Sequence, residues 1–333
     1  RIFDTAVPIV GIVLVLAVLA VVPYYATTYW LDVMNRIGIA IIGAIGLNIL
    51  VGYTGQISIG HAAFLAVGAY ATAILEINAG LPFYLAIPLA ALITAGFGLI
   101  FGIPSLRLKG LYLAIATLAA HFIATYGIIH WERLTNGVLG LMVPTATVFG
   151  IPLDSDARVF YLIFALVIPA MFFAKNLFRT RVGRAFIAIR DRDVAAGVMG
   201  VSLYRYKLLA FVISSAYAGV AGGLMAHHSR IIFPDAFSLL VAIDYLAMII
   251  IGGLGSILGC IFGAIFMTLL PEVLKLGATS LTGVYPNAFG VIASARDIVF
   301  GFAVIFFLMY EPLGLARIWV RIRSYWKLWP YAY

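Results

Sequence analysis

FYLAIPLAALITAGFGLIFGI, residues 83–103, is a run of 21 residues without a charged side chain. A helix needs about 20 consecutive apolar residues to cross a hydrocarbon core of about 30 Å, so this run predicts one membrane span. Its apolar residues do not alternate with polar ones, which excludes a strand of a membrane β-barrel. Similar runs predict about ten transmembrane or re-entrant helices, at 8–22, 36–51, 57–75, 83–103, 110–129, 158–174, 208–226, 238–254, 256–270 and 291–310.

The composition agrees with a chain that lipid surrounds. Of its 333 residues, 64% are hydrophobic and 10% are charged, against roughly 45–50% and 25% in soluble domains. We therefore predict an all-α polytopic membrane protein in which residues 1–333 form a single transmembrane domain. The third and ninth runs begin in glycine-rich sequence and could be re-entrant or broken helices. The only cysteine is Cys260, which excludes an intrachain disulfide scaffold.

The net charge of +8 is interpreted as membrane topology rather than as a nucleic-acid surface. Basic residues accumulate in the cytoplasmic segments of membrane proteins, and ten spans between such segments place both termini in the cytoplasm. The chain begins with Arg1 rather than Met, so it could start inside the natural protein, and the run 8–22 is interpreted as a permanent helix rather than a signal peptide. The predicted cytoplasmic segments are 104–110, 175–207 and 311–333, and the predicted outer segments are 130–157 and 227–237.

The stretch GYTGQISIGHAAFLAVGAY, residues 52–70, places Gln56, Ser58 and His61 at the start of an apolar span, with Gly55 among the glycines that loosen the backbone. Ser58 and His61 would share a helix face, which allows an intramembrane hydrolase. A base on the same helix as its nucleophile is poorly aimed, however, and no partner acid is identifiable. The favoured interpretation is that these side chains cap the helix or satisfy unwound backbone beside a pore.

A second glycine-rich stretch, 252–263, has a related pattern. Gly252 and Gly255 repeat the spacing of Gly52 and Gly55 in front of an apolar span, which indicates a diverged internal repeat. Glycines at every fourth residue predict a stripe that lets a second helix approach closely, and the alternative is a lining for a translocation path. The stripe consists of Gly255, Gly259 and Gly263.

Few other residues indicate chemistry of their own. The sequence contains no GxxxxGK[ST] phosphate loop. The adjacent residues His227 and His228 would point about 100° apart on a helix, which makes a poor chelate, so no metal site is predicted and interfacial polar contacts are favoured. Asp244 is an acid within a span, where a carboxylate is costly unless it is paired or hydrated. The aromatic and basic tail is expected at membrane lipid.

The segment FRTRVGRAFIAIRDRDVAAGVMGVSLYRYKLLAF, residues 178–211, predicts a cytoplasmic amphipathic helix. Its apolar residues recur at roughly helical spacing, and arginines occupy the other face. Such a helix either docks against a partner protein or lies on anionic lipid. Composition alone leaves both possibilities open.

Four motifs, spread in order over nearly the whole chain, resemble the permeases of high-affinity branched-chain amino acid ABC importers, the LivH/LivM family, and most of all its LivM branch. The first is G-x-x-G-x-x-S-x-G-H-A-A-F at 52–64, and the second is G-R-A-x-x-A-I-R-D at 183–191. The third is GGLGSILGCIFGAIF at 252–266, where Gly259-Cys260 stands in place of the family's usual Gly-Pro. The fourth is EPLGL at 311–315, before the basic tail.

This resemblance implies a type II-like ABC importer permease of the bacterial inner membrane that is not itself an enzyme and holds no cofactor. It also implies four kinds of partner: a homologous LivH-type permease, two cytoplasmic ATPase subunits that bind ATP and Mg²⁺, a periplasmic binding protein, and membrane lipid. The implied cargo is a branched-chain amino acid, although relatives of this architecture also move urea, short amides or aromatic acids. Arg184 and Arg190 would pair with acids on the ATPase. The implied ATPase-coupling residues are Gly183, Arg184, Ala185, Ile189, Arg190, Asp191, Ala195, Ala196 and Gly200.

Two other classes of protein remain alternatives at this point. An ion-coupled secondary transporter normally carries a buried pair of acids for its driving ion, and the sequence offers Asp244 alone. An intramembrane enzyme would need Ser58 and His61 to act together.

Overall fold

The described residues of the chain are almost entirely helical. A computed structural model describes Ala17, 19–148, 151–281, 288–311 and 313–328. In chain order its helices are α1 (Thr28–Leu50), α2 (His61–Ala79), α3 (Phe83–Ser105), α4 (Leu111–His130), the single turn α5 (Glu132–Thr135), α6 (Asp156–Leu177), α7 (Arg181–Val198), α8 (Leu203–Ser229), α9 (Leu239–Gly252), α10 (Ile257–Leu281), α11 (Ala288–Tyr310) and α12 (Gly314–Leu328).

Eight helices within the described residues are long and apolar enough to cross a membrane, or nine if the bent pair formed by α11 and α12 is one span. The helical stretches Ile298–Tyr310 and Gly314–Tyr325 of that pair meet at 49°. These spans confirm the predicted all-α polytopic membrane fold. Most of the predicted first run, 8–22, lies outside the described residues.

Several helix ends differ from the predicted runs. α1 begins at Thr28 instead of residue 36, and α10 continues to Leu281 instead of stopping at residue 270. A membrane helix must be apolar only where lipid surrounds it. Polar turns can therefore extend the helix into regions where protein or water surrounds it. The predicted span 57–75 begins too early, because residues 51–60 are not helical and α2 starts at His61.

α1 is the central helix of the bundle. Of an 18-residue apolar stretch of α1, 83% is buried inside the protein, whereas the corresponding share for α6 is 28%. α1 packs against α6, α8, α9 and α10, and side chains such as Ile42 and Leu47 are completely covered. Two antiparallel ribbons order the loops: β1 (Leu141–Met142) pairs with β4 (Ile231–Ile232), and β2 (Thr147–Val148) pairs with β3 (Ile151–Pro152).

Glycines bring α9 and α10 into backbone contact. A Cβ atom added to Gly263 would lie 1.9 Å from the carbonyl oxygen of Met248, and one added to Gly259 would lie 2.7 Å from that of Gly252. These distances leave no room for a side chain, as in other small-residue interfaces between membrane helices. Gly255 does not continue the predicted stripe, because it precedes α10 in a turn, with φ of +74°.

Replacing Gly263 with Ala should destabilise the protein, because the new methyl group would collide with the Met248 carbonyl oxygen. Overpacking of this kind costs about 1–3 kcal/mol. The control is Gly96→Ala in α3, where an added Cβ meets nothing within 4 Å and the higher helix propensity of Ala favours the variant. The stability of both variants is measured by thermal unfolding of the detergent-solubilised protein. Equal unfolding midpoints for the two variants would contradict the close α9–α10 contact.

Candidate functional site

The break between α1 and α2, residues 51–60, holds the first group of predicted site residues. Gly55 has φ of +69°, a conformation that glycine adopts without a steric penalty. Thr54 Oγ1 donates a hydrogen bond to the last carbonyl oxygen of α1 at 2.5 Å. Gln56 Nε2 donates to Thr54 Oγ1 at 3.0 Å and to the carbonyl oxygen of Lys207 at 3.3 Å. Gln56 therefore ties this break to the beginning of α8.

Ser58 and His61 are both buried where α2 begins. His61 Nε2 lies 3.0 Å from the carbonyl oxygen of Gly43 in α1, and its ring packs edge-on against Tyr245 with ring centroids 5.4 Å apart. Ser58 Oγ has no hydrogen-bond partner in the part of the chain that the structure describes. A catalytic nucleophile needs a base within hydrogen-bond reach, so this geometry does not support the hydrolase interpretation. His61 instead connects α2 to α1.

The second break, residues 253–256, lies between α9 and α10. Gly255 has φ of +74°, close to the +69° of Gly55. Asn48, near the end of α1, bonds to this break from both ends of its amide. Its Oδ1 accepts from the Gly255 N–H at 2.9 Å, and its Nδ2 donates to the Ser256 carbonyl oxygen at 3.0 Å.

Arg190 of α7 lies between the two breaks. Its Nη1 donates to the carbonyl oxygen of Gly52 at 3.1 Å, and its Nε donates to Asp191 Oδ1 at 3.1 Å. A Cβ atom on Gly255 would lie 2.8 Å from Nη1, and one on Gly55 would lie 3.4 Å from Cγ of the same arginine. The glycines therefore leave space for the arginine, and α7 contacts both breaks through one side chain.

The end of α7 carries exposed apolar side chains. The backbone of Arg192 departs from helical geometry, with φ of −156° and ψ of 98°, and this kinks the helix. Beyond the kink, Val194, Val198 and Met199 are 71%, 84% and 83% exposed. We call these three residues the α7 tip. Grouped apolar side chains on an exposed surface mark a site of contact with another protein or with the membrane.

Asp193 holds the kinked end of α7 to the bundle. Its carboxylate lies 2.7 Å from Lys109 Nζ, beyond α3, and 3.5 Å from Lys207 Nζ in α8. The hydrogen bond from Lys109, and the charges of both lysines, lower the pKa of Asp193 from its ordinary value. Because the folded-state pKa is depressed, this clamp stabilises the fold at neutral pH and its contribution is lost as the pH falls through that pKa.

The predicted coupling residues divide between the two sides of this segment. Arg190 has an exposed accessible surface, although its guanidinium group donates hydrogen bonds to the Gly52 carbonyl oxygen and to Asp191. The buried residues are Gly183, Ala185, Ile189 and Ala196, and the exposed ones are Arg184, Arg190, Asp191, Ala195 and Gly200.

A cavity that the sequence analysis did not predict lies at the opposite end of α1. Leu50 follows Arg36 by 14 residues, which is about 21 Å along a helix. This distal cavity has a volume of about 810 Å³ and lies between α1, α8, α9 and α10. Its apolar walls include Ile39, Val241, Met248 and Met267, and its ionisable lining residues are Asp32, Arg36, His228, Asp244, Glu272 and Lys275.

Glu272 anchors the cations of the distal cavity. Its side chain is 5% exposed and accepts a hydrogen bond from Tyr29 Oη at 2.5 Å. Glu272 Oε1 lies 3.1 Å from Lys275 Nζ and 3.8 Å from Arg36 Nη1. A buried carboxylate thus holds two cationic side chains that are themselves about half exposed, at 50% for Arg36 and 56% for Lys275.

The two adjacent histidines at the end of α8 bind different helices. His228 Nε2 lies 3.0 Å from Asp32 Oδ1 in α1, and His227 Nε2 lies 2.9 Å from Glu76 Oε1 in α2. Among the residues that the structure describes, no group of three or more His, Cys, Asp or Glu side chains could hold a metal ion. The histidines therefore make paired polar contacts between helices.

The signal for the distal cavity was present in the sequence but lay outside the apolar runs. Asp32 and Arg36 are one turn apart, as are Glu272 and Lys275. Paired ionisable residues on a helix that continues a span indicate a pathway or binding site. Of the ionisable lining residues, Asp244 stood inside a predicted run and Arg36 stood at the first position of the run 36–51.

Comparison with known proteins places these features in a family. Residues 29–308 match the family model described as branched-chain amino acid transport system / permease component. The high-affinity branched-chain amino acid transport system permease protein LivM of Escherichia coli strain K12 is 33% identical over 78% of this chain and 67% of its own length. LivM of Salmonella typhimurium is also 33% identical, over 76% of this chain and 65% of its own length.

A more distant relative aligns over a larger share of both chains. The probable branched-chain amino acid transport permease protein LivH of Methanocaldococcus jannaschii is 25% identical over 84% of this chain and 89% of its own length. No solved structure matches the chain.

Cys260 offers a direct test of the contact between α1 and the second break. Its thiol is completely buried and lies 3.1 Å from Asn48 Nδ2, and the chain has no other cysteine. Asn48→Ala should open this junction and speed the reaction of Cys260 with N-ethylmaleimide at least tenfold. Asn35→Ala is the control, since Asn35 is equally buried in α1 but bonds to the Asp156 carbonyl oxygen. The same labelling rate in both variants would contradict this role of Asn48.

Proposed function

The chain belongs to the family of branched-chain amino acid transport system permease components, and we propose that it is the membrane-spanning subunit of an ATP-driven importer. In this proposal it forms the path for branched-chain amino acids and is not itself an enzyme. ATP and Mg²⁺ bind to separate ATPase subunits. The observation that carries the proposal is that α7 has an exposed apolar tip and contacts both helix breaks.

The α7 tip is the surface to which an ATPase subunit docks. Val194 and Val198 are four residues apart and lie on one helix face, and Met199 follows them. Ala195 and Gly200 are exposed beside them and small enough to allow a close approach. Arg184 is exposed on the same segment, where it can pair with an acid of the ATPase.

Arg190 has a different role in this mechanism. Its guanidinium already bonds to the Gly52 carbonyl oxygen and to Asp191, so it connects the docking helix to the breaks. A movement of α7 would displace this side chain and with it the backbone before α2 and α10. Coupling requires that the ATPase bind two conformations of the permease with different affinity, and the glycine turns at Gly55 and Gly255 are the places where the backbone can yield.

The remaining partners follow from the same proposal. A homologous permease of the LivH type completes the membrane part, two ATPase subunits bind on the cytoplasmic side, and a periplasmic binding protein delivers the amino acid. The chain then lies in the bacterial inner membrane with both termini in the cytoplasm. The basic segment that contains α7 is on the ATPase side in this orientation, as the positive-inside rule requires.

An ion-coupled transporter is the second candidate, because three carboxylates line the distal cavity: Asp32, Asp244 and Glu272. Acids within a membrane bundle can bind a driving ion. Uptake into vesicles separates the two functions. The importer needs ATP and its ATPase subunits, whereas the second candidate would work with an ion gradient in their absence.

Val198→Asp should weaken ATPase binding, because a charged group would replace apolar contact at the α7 tip. The amount of ATPase that copurifies from the native membrane is expected to fall at least tenfold. Leu139→Asp is the control, since Leu139 is 82% exposed but lies in the loop between α5 and α6, away from α7. Equal ATPase recovery with both variants would contradict docking at this tip.

Arg190→Gln should separate ATPase binding from transport. The α7 tip is unchanged, so the ATPase should still copurify, while ATP-dependent uptake should drop at least tenfold because the bond to Gly52 is lost. Arg192→Gln, two residues further along, is the matched control. Normal uptake by Arg190→Gln would rule out transmission through this arginine.

A further inference from the structure

We infer that the distal cavity binds a zwitterionic α-amino acid during its passage, with the carboxylate beside Arg36 and the ammonium group beside Asp32. The inference rests on the proposed function and deepens it, since it assigns a substrate site within this chain. It is carried by the two signs of charge, by the apolar wall next to them, and by the size of the cavity.

The cationic end of the site is held in place by the buried carboxylate of Glu272. Glu272 is almost completely covered and is bonded by Tyr29 and Lys275. Glu272 therefore compensates the positive charge of Arg36, whose side chain is 50% exposed and lines the cavity. Arginine has five N–H donors, and its planar fork matches a carboxylate in two parallel hydrogen bonds. Arg36 can thus bind a ligand carboxylate without leaving Glu272.

The anionic end lies one helical turn away. Asp32 contacts Arg36 and, through Oδ1, His228 Nε2 at 3.0 Å, and its side chain is 30% exposed. A carboxylate accepts up to about four hydrogen bonds, so it can accept from an ammonium group in addition to these neighbours. The spacing of one turn keeps the two charged groups on the same side of α1, as a zwitterion requires.

An apolar wall completes the site. Ile39 lies three residues beyond Arg36 on α1, and Val241, Met248 and Met267 face the same cavity from α9 and α10. Methionine side chains adapt to aliphatic groups of different shape. A volume of about 810 Å³ is within the range of small-molecule sites.

A purely structural role would predict a different energetic pattern. The exposed pair of Arg36 with Asp32, one turn apart, contributes only about 0–1 kcal/mol to stability. Glu272 keeps Tyr29 and Lys275 as partners when Arg36 is replaced. Ionisable residues inside membrane bundles are costly, and they mark binding sites and pathways. Binding and stability can therefore be separated by experiment.

Arg36→Gln in the complete importer tests the site. Saturable binding of [³H]L-leucine to the purified complex in nanodiscs, without the binding protein, should weaken at least tenfold, while thermal stability and ATPase copurification remain unchanged. Arg158→Gln is the matched control, because Arg158 forms an exposed pair with Asp154, also four residues away, at 2.9 Å and outside the cavity. Arg36→Lys keeps a cation and should retain part of the binding.

The ligand class is tested by competition with two analogues of leucine. 4-Methylpentanoate lacks the ammonium group and 3-methylbutylamine lacks the carboxylate, so each should displace leucine at least tenfold more weakly than leucine itself. Competition by either analogue at the strength of leucine would overturn the assignment to a zwitterion. Equal leucine binding by Arg36→Gln and Arg158→Gln would overturn the site.

Failure of the inference is distinguishable from failure of the proposed function. ATP-dependent import of L-leucine by the wild-type complex, without saturable leucine binding in nanodiscs, would reject the distal site and leave the importer function intact. Absence of ATP-dependent import by the wild-type complex would reject the importer function and the inference with it.

Discussion

The backbone of a membrane protein cannot leave its N–H and C=O groups unpaired where water is absent, and the structure depends on how the two breaks between successive helices meet this constraint. Residues 51–60 and 253–256 are not helical although helices surround them. Asn48 satisfies the second interruption, and Arg190 bonds to the carbonyl oxygen of Gly52 at the first. Side chains from α1, α4 and α7 thus pair backbone groups that have no partner within a helix.

These replacements give α1 its central position. One end of the helix bonds to the second break through Asn48, and the other end carries Asp32 and Arg36 at the distal cavity. Its middle is covered by neighbouring helices, with side chains such as Ile42 and Leu47 fully buried. A rigid, buried helix that touches both regions is suited to connect them, because a displacement at one end cannot be absorbed by loose packing.

The sequence was sufficient for the broad architecture and insufficient for the polar contacts. Uninterrupted apolar runs such as 83–103 predicted the spans, and the glycine pattern before His61 and Ile257 indicated the breaks. The partner of Arg190 could not be predicted, because the motif does not show which carbonyl group loses its helical donor. The distal cavity was missed because Asp32 and Glu272 belong to helical turns outside the apolar runs, where hydropathy carries no signal.

The order in which the chain is synthesised makes the central position of α1 a problem of timing. Asn48 leaves the ribosome 208 residues before Ser256, whose carbonyl oxygen it binds. At about 5–20 residues per second this interval lasts roughly 10–40 s. During that time a polar amide on an early membrane helix has none of its final partners in the second break. α1 therefore enters the bilayer before the residues that pair its amide, and the Asn48 junction forms only after the carboxyl-terminal half has been synthesised.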